Sequence, residues 1–393
     1  MAIRMQIDNN GRQQELEDKL KRPVVVSKSG TAYVLDPSGT DARVLPKDYA
    51  LKPGRLTGLG IAQGKKPAQK RYPVTIRLFL RYSEISFKSA DKAIKRLAAF
   101  AKKPVSVHVI IETGKNPPEW NRLQKFTSLI FNSLVELKIR AAIIIEGVFS
   151  RPDKQIMNWL VMRRILTRFI LGPALGYPAD LKGDNARALS AMSEYGLKIP
   201  VLFYWSGQNA IEVSGLLKKA LRLNKLAGIG ILPHFLSPRF DCRIGFNGDG
   251  LNGFSDMLAF LNADRQLAEF IEEPVSEIEQ RLAGPVQSRF INALITKSGD
   301  LLGFRRFPFT AGRLPAGKLQ LKVAMSGRCE RCVWKRICDG VDRPPAAFGR
   351  QHKIAAEAWC LNQKNLMRRV IGECLEIREY LDKIKNNVLK DAG

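Results

Sequence analysis

This chain is short of the residues from which most active sites are built. It has three histidines in 393 residues, and none of its six cysteines precedes Cys242. No Ser-His-Asp set, paired-carboxylate set or Walker-type phosphate loop emerges from the sequence. Long apolar runs are also missing. The most apolar stretch, Asn158 to Gly176, is broken by Arg163, Arg164 and Arg168, which excludes a membrane span. The first ten residues, Met1 to Asn10, lack the apolar core of a secretory signal. Together these absences predict a cytoplasmic protein with no membrane partner. In that compartment clustered cysteines are read as metal ligands before disulfides.

Acidic residues are outnumbered. Against 64 lysines and arginines stand 37 aspartates and glutamates, a formal net charge of +27. Such an excess implies an acidic partner: nucleic acid, an acidic peptide or an anionic surface. The basic residues are spread along the whole chain and no nucleic-acid motif accompanies them, so nucleic acid rests on charge alone. Hydrophobic residues at 45% exclude wholesale disorder.

Residues 1–71 read as an extension: a short charged helix from Gln13 to Lys21, a small β-meander from Pro23 to Leu45, then a glycine-rich and basic linker ending at Arg71. Gly58-Leu-Gly60-Ile-Ala-Gln-Gly64 does not have the dinucleotide-binding spacing. From Tyr72 to Pro285 strands and helices alternate. Strands are expected at Val74–Leu80, Val105–Ile111, Ala141–Ile145, Val201–Trp205 and Ile229–Leu232. Helices are expected over Asp91–Ala101, Pro118–Leu137, Asp153–Leu171, Ala210–Leu223 and Ser255–Phe270. This alternation is that of a parallel sheet with crossover helices, open or curled into a partial (β/α) TIM-like barrel. In such folds chemistry sits at the C-terminal strand ends. That draws attention to Glu112, Lys115 and Glu146, and to His234 after the fifth strand. Each has a plainer reading, as a salt-bridged rim or a hydrogen-bonded structural histidine. A hairpin around Ser298-Gly299-Asp300 follows, and a long helix from about Ile354 to Leu389 ends the chain.

Four of the six cysteines fall in one stretch. Cys329-Glu-Arg-Cys332-Val-Trp-Lys-Arg-Ile-Cys338 and Cys360 give the pattern C-x2-C-x5-C-x21-C. Spacings this short bring thiolates together around one metal or cluster. An iron–sulfur cluster, a structural zinc and unligated core thiols are the three readings of the residues themselves. Cys242 and Cys374 read as free thiols.

A βα repeat, a Leu-Ile-Thr-Lys-Ser-Gly-Asp-Leu-Leu hairpin and this cysteine spacing together resemble radical SAM enzymes with a C-terminal SPASM domain, over roughly Tyr72 to Cys360. The resemblance implies that Cys329, Cys332, Cys338 and Cys360 ligate one auxiliary [4Fe–4S] cluster in a SPASM-like domain (residues 286–362), ahead of a C-terminal helix (residues 363–393). It also locates departures. The loop expected to carry the three cluster cysteines for S-adenosylmethionine (SAM) is Arg81-Tyr-Ser-Glu-Ile-Ser-Phe87, which has none. The Gly-Gly-Glu loop expected to hold the SAM amino group reads Thr113-Gly114-Lys115-Asn116-Pro117, with Gly114 kept and Lys115 and Asn116 in place of the glycine–glutamate pair. A lysine repels an ammonium group instead of accepting its hydrogen bonds. Phe304 and Asp342 stand where the inner auxiliary cluster needs cysteines.

The reading that follows is a degenerate radical SAM/SPASM-like protein, a pseudoenzyme for SAM cleavage with one cluster. Its expected partner is a peptide or protein client, or an active radical SAM protein. The alternatives are an enzyme running other chemistry in a remnant nucleotide-like pocket, with Gly114 and Asn116 as remnants of the SAM loop, and a basic nucleic-acid-binding protein with a structural zinc.

Overall fold

The computed structural model describes residues 13–26, 32–35, 42–45, 74–100, 106–224, 228–237, 252–264, 266–273, 289–304, 329, 331–334, 338, 353–354 and 356–368. The glycine-rich linker, Cys242, Cys374 and the end of the C-terminal helix lie outside these residues. Among the described residues no helix is long and apolar enough to cross a membrane.

A helix over residues 13–20 (α1) leads into three antiparallel strands, β1 (Val24–Val26), β2 (Ala32–Leu35) and β3 (Ala42–Leu45). Side chains alternate across a strand. Val24, Ala32 and Val34 accordingly close a small core with Leu16 and Leu20 of α1, while Val25 and Leu35 join the main core of the protein.

The main body is one nine-stranded sheet. Its strands are β4 (Val74–Arg81), β5 (Ser106–Glu112), β6 (Arg140–Gly147), β7 (Leu166–Leu171), β8 (Val201–Trp205), β9 (Ile229–Pro233), β10 (Ile271–Glu273), β11 (Arg289–Ile295) and β12 (Leu301–Phe304). They lie in the order β10-β9-β8-β7-β6-β5-β4-β11-β12. Every neighbouring pair is parallel except the β11–β12 hairpin. Strands covered on both faces read as continuous apolar runs, and Val201-Leu-Phe-Tyr-Trp205 is buried at all five positions. The crossover helices are α2 (Phe87–Phe100), α3 (Trp120–Glu136), α4 (Lys154–Met162), α5 (Gly183–Glu194), α6 (Ala210–Leu223) and α7 (Asn252–Ala263). A last helix, α8, covers residues 356–368. The mixed α/β, partial TIM-like barrel expected from the alternation is what the chain forms.

Besides the helix expected over Ser255–Phe270, which ends at Ala263 ahead of the unexpected strand β10, two elements differ from expectation. The helix expected over Asp153–Leu171 is two elements. Asp153 caps α4 by accepting from the Ile156 N–H at 2.8 Å, and the chain turns at Arg164 (φ 52°) into β7. A short apolar run such as Leu-Thr-Arg-Phe-Ile-Leu fits helix and strand alike by periodicity, and here the need for a partner beside β6 decides. The second is α5, whose Gly-Asp-Asn-Ala-Arg-Ala start carries little apolar signal.

The hairpin does not stand apart from the barrel. Arg289 to Leu294 pair in parallel with Val74 to Phe79. The turn at Lys297–Asp300 is tied to α2: Ser89 donates to the Lys297 carbonyl at 2.7 Å, Lys92 to the Ser298 carbonyl at 3.1 Å, and Arg96 pairs with Asp300 at 2.6 Å. Gly299 (φ 77°) sits against α2, where an added Cβ would meet the Ser89 carbonyl oxygen at 2.7 Å.

Candidate functional site

The C-terminal ends of β5 to β9 bring the sequence-predicted residues to one end of the sheet. Glu112 closes β5 and is 2% exposed; its carboxylate accepts the Tyr177 hydroxyl. Glu146 sits beside it in register on β6, equally buried, with an Arg168 guanidinium nitrogen of β7 at 3.5 Å. Tyr204 on β8 completes the group. Burial, and then the nearby Glu146 carboxylate, hold its phenol well above the ordinary tyrosine range, while Arg168 and a hydrogen bond with Ser237 act the other way. Both glutamates therefore have built-in partners, a tyrosine hydroxyl for Glu112 and a guanidinium for Glu146. Arg168, Tyr177 and Tyr204 were not singled out in the sequence. Arg168 and Tyr204 lie inside β7 and β8 and Tyr177 lies in the loop after β7, so no local signal marks them.

His234 follows β9 and is buried, its Nδ1 3.3 Å from the Trp205 carbonyl. Burial pushes its pKa down, and the carbonyl hydrogen bond opposes this. This is the geometry of the structural histidine. Lys115 and Asn116 are exposed on the loop after β5, whereas Gly114 is buried (φ 100°). The Lys115 chain passes over Gly176 in the loop after β7. Glu112 and Glu146 thus form one buried group, and Lys115 and Asn116 stand outside it in solvent.

The loop after β4 is short and closed. The N–H groups of Glu84 and Ile85 both donate to the Arg81 carbonyl, at 2.9 and 3.1 Å. The Arg81 guanidinium reaches Glu84 at 3.4 Å, Ile85 is buried, and α2 starts at Phe87.

The four expected ligand cysteines are unbridged; Cys329 and Cys338 are buried, Cys332 and Cys360 half-buried. The Cys332 N–H donates to the Cys329 carbonyl at 3.2 Å, and the Cys338 N–H to the Trp334 carbonyl at 2.7 Å. Burial pushes the Cys360 thiol up to about 11. The neighbouring Cys338, Cys332 and Cys329 push the same way, against the pull of Lys364. The fold thus brings Cys360 within electrostatic reach of the three cysteines of the preceding segment. Among the described residues, no three His, Cys, Asp or Glu side chains are closed tightly enough to hold a metal ion. The donor set itself fits a four-thiolate centre, because a cation offsets the mutual repulsion that deprotonation of neighbouring thiols creates.

This cysteine region touches the barrel mouth. Trp359, next to Cys360, packs edge-on against Phe235 at 6.2 Å between ring centres, and Phe235 meets His234 at 6.0 Å.

No family model matches the sequence, and neither does any curated protein. The fold, in contrast, is similar to solved structures. The chain resembles native anSMEcpe with bound AdoMet, at 11% identity and a TM-score of 0.52, over 77% of this chain and 99% of that one. For the same protein with AdoMet and the Cp18Cys peptide the identity is 12% and the TM-score 0.52, over 78% and 99%. Streptococcus suis SuiB bound to precursor peptide SuiA matches at 12% identity over 69% of this chain and 72% of that one, with a TM-score of only 0.40. At these identities the likeness is one of fold, and it agrees with the resemblance carried by the hairpin and the cysteine spacing: the chain has a radical SAM/SPASM-like fold.

Proposed function

We propose that this protein is a degenerate radical SAM/SPASM-like iron–sulfur protein that binds or scaffolds a peptide or protein client and does not itself cleave SAM. The observation that carries this reading is the loop after β4. The segment from Arg81 to Phe87 holds no cysteine and is drawn into a hydrogen-bonded turn. The exposed Lys115 in the loop after β5 puts a positive charge where the family places an acceptor for the SAM ammonium. The mouth carboxylates are already engaged by Tyr177 and Arg168.

Cys329, Cys332, Cys338 and Cys360 would hold one [4Fe–4S] cluster, with zinc as the competing metal for the same thiolates. Four protein ligands close the coordination shell, so the group supplies structure or electron relay and not a substrate site. The net charge of +27 favours an acidic segment of the client. A peptide client is also in line with the fold's likeness to a protein solved with AdoMet and a peptide bound.

The test is anaerobic purification followed by iron, sulfide and zinc analysis, and then incubation with SAM and dithionite. About four irons and four sulfides per chain, with no 5′-deoxyadenosine formed, are expected. Stoichiometric zinc without sulfide overturns the iron–sulfur assignment. Release of 5′-deoxyadenosine overturns the loss of catalysis.

A further inference from the structure

The N-terminal extension reaches the cysteine region through one carboxylate. Glu17, on α1, is 1% exposed, and three donors converge on it. The Trp334 indole N–H meets Oε1 at 2.7 Å and the Val24 N–H meets the same oxygen at 3.3 Å. An Arg368 guanidinium nitrogen meets Oε2 at 2.9 Å. Trp334 is fully buried, and the Arg368 guanidinium lies over its ring, 5.9 Å from the centre.

The two protein donors outside the extension belong to the two separate segments that carry the cysteines. Trp334 lies between Cys332 and Cys338, and its own carbonyl accepts the Cys338 N–H at 2.7 Å. It is therefore held at both ends, by Glu17 through the indole and by Cys338 through the backbone. Arg368 is on α8, eight residues and about two helical turns beyond Cys360. One buried carboxylate thus ties the three-cysteine loop to the helix that brings the fourth cysteine.

We infer that Glu17 is a positioning residue for the metal centre: it fixes the Cys329–Cys338 loop against α8, so that the four thiols converge and the N-terminal extension is an integral part of the centre. The inference rests on the reading that these four cysteines hold a metal. Groups that orient ligands from outside the coordination shell contribute strongly to metal retention when they are buried and charged.

The experiment compares full-length wild type with Glu17→Ala, Glu17→Gln, Trp334→Phe and Cys338→Ser. Each is purified anaerobically, and metal content and the rate of metal loss to a colorimetric chelator are measured beside circular dichroism as a check of fold. Glu17→Ala is expected to lose metal about tenfold or more faster than wild type. Trp334→Phe, which keeps an aromatic ring of smaller volume and removes the N–H, should fall between. Glu17→Gln keeps an acceptor for Trp334 but loses the charge facing Arg368, and should also fall between. Cys338→Ser should not retain the centre. Wild-type rates in folded Glu17→Ala overturn the inference and leave the metal reading standing. If Glu17→Ala does not fold, wild-type rates in both Glu17→Gln and Trp334→Phe overturn it equally. A wild-type protein that holds neither iron nor zinc overturns the metal reading, and this inference with it.

Discussion

Glu17 and Trp334 lie 317 positions apart in the chain, and the indole N–H of one meets the carboxylate of the other at 2.7 Å. The same carboxylate pairs with Arg368, whose side chain is 8% exposed. Removing one member of a buried ion pair leaves the other charge uncompensated in a medium that solvates it poorly. Arg368→Met should therefore lower stability by about 3–5 kcal/mol. The double change Glu17→Gln with Arg368→Met should cost less than the sum of the single changes, because the stranded charge is gone. Urea unfolding of the four proteins measures both effects.

Gly147 closes β6 at φ +148°, and an added Cβ would lie 2.0 Å from the Thr113 hydroxyl oxygen. That hydroxyl donates to the Glu146 carbonyl at 3.3 Å, and the Thr113 N–H donates to the same carbonyl at 2.8 Å. Gly147→Ala adds an unfavourable backbone conformation to a steric clash and should cost about 2–4 kcal/mol. Adding Thr113→Ala should recover part of the loss, since it removes the clashing oxygen but leaves φ unchanged. Equal midpoints for Gly147→Ala and wild type would contradict the geometry.

A buried histidine, His234, and a half-buried one, His108, make stability pH-dependent. Burial lowers the pKa of His234, and burial together with Arg77 lowers that of His108, both below the ordinary 6.5. The unfolded chain then binds more protons than the folded one, so stability rises with pH. The contribution is complete above the unfolded value and is lost as pH falls through 6.5 towards the lower folded values. Urea midpoints taken at about pH 7.5 and about pH 5.5 should fall on acidification. His234→Gln should reduce that fall, whereas an unchanged pH slope would mean His234 does not titrate differently on folding.

Asp180 acts at a lower pH. The Lys182 ammonium at 2.9 Å, opposed by burial and helped by Lys219 at 3.1 Å and the Leu181 N–H, lowers its carboxyl from 3.8 to about 2. A depressed carboxylate adds stability above its unfolded pKa and loses it as pH falls through the folded one. Asp180→Asn should accordingly flatten the acid limb of the stability curve between 3.8 and about 2. The difference should shrink as salt is added, because the group is partly exposed.

The central sheet was readable because its strands are buried on both faces. Val201–Trp205 and Ala210–Leu223 have in the fold the bounds that apolar runs and helical spacing predict. The Arg163-Arg164 turn was not, since a two-residue reversal between two apolar runs leaves the period ambiguous. For the site, the cysteine spacing named four thiols, of which Cys360 feels the other three electrostatically, and the strand ends named two glutamates that stand in register on neighbouring strands. Their partners Tyr177, Arg168 and Tyr204 come from other strands and loops. So does Glu17, an ordinary charged helix residue by sequence whose burial is set by side chains more than 300 positions away. Local pattern reports which face of an element is apolar, and the identity of what covers that face is decided only by the tertiary fold.

The pairing of β11 with β4 also orders events in time. Val74 is partnered by Arg289, so on a ribosome the first barrel strand emerges 289 − 74 = 215 residues before the neighbour that covers its outer edge. Until then an apolar strand with one unpaired edge is open to whatever else is nearby. Completion of the sheet must wait for nearly the last quarter of the chain, and with it the docking of the cysteine region that follows. For this protein, chaperone dependence during synthesis and slow, aggregation-prone refolding of the isolated barrel segment are the expected cost of closing the sheet with a strand that arrives late.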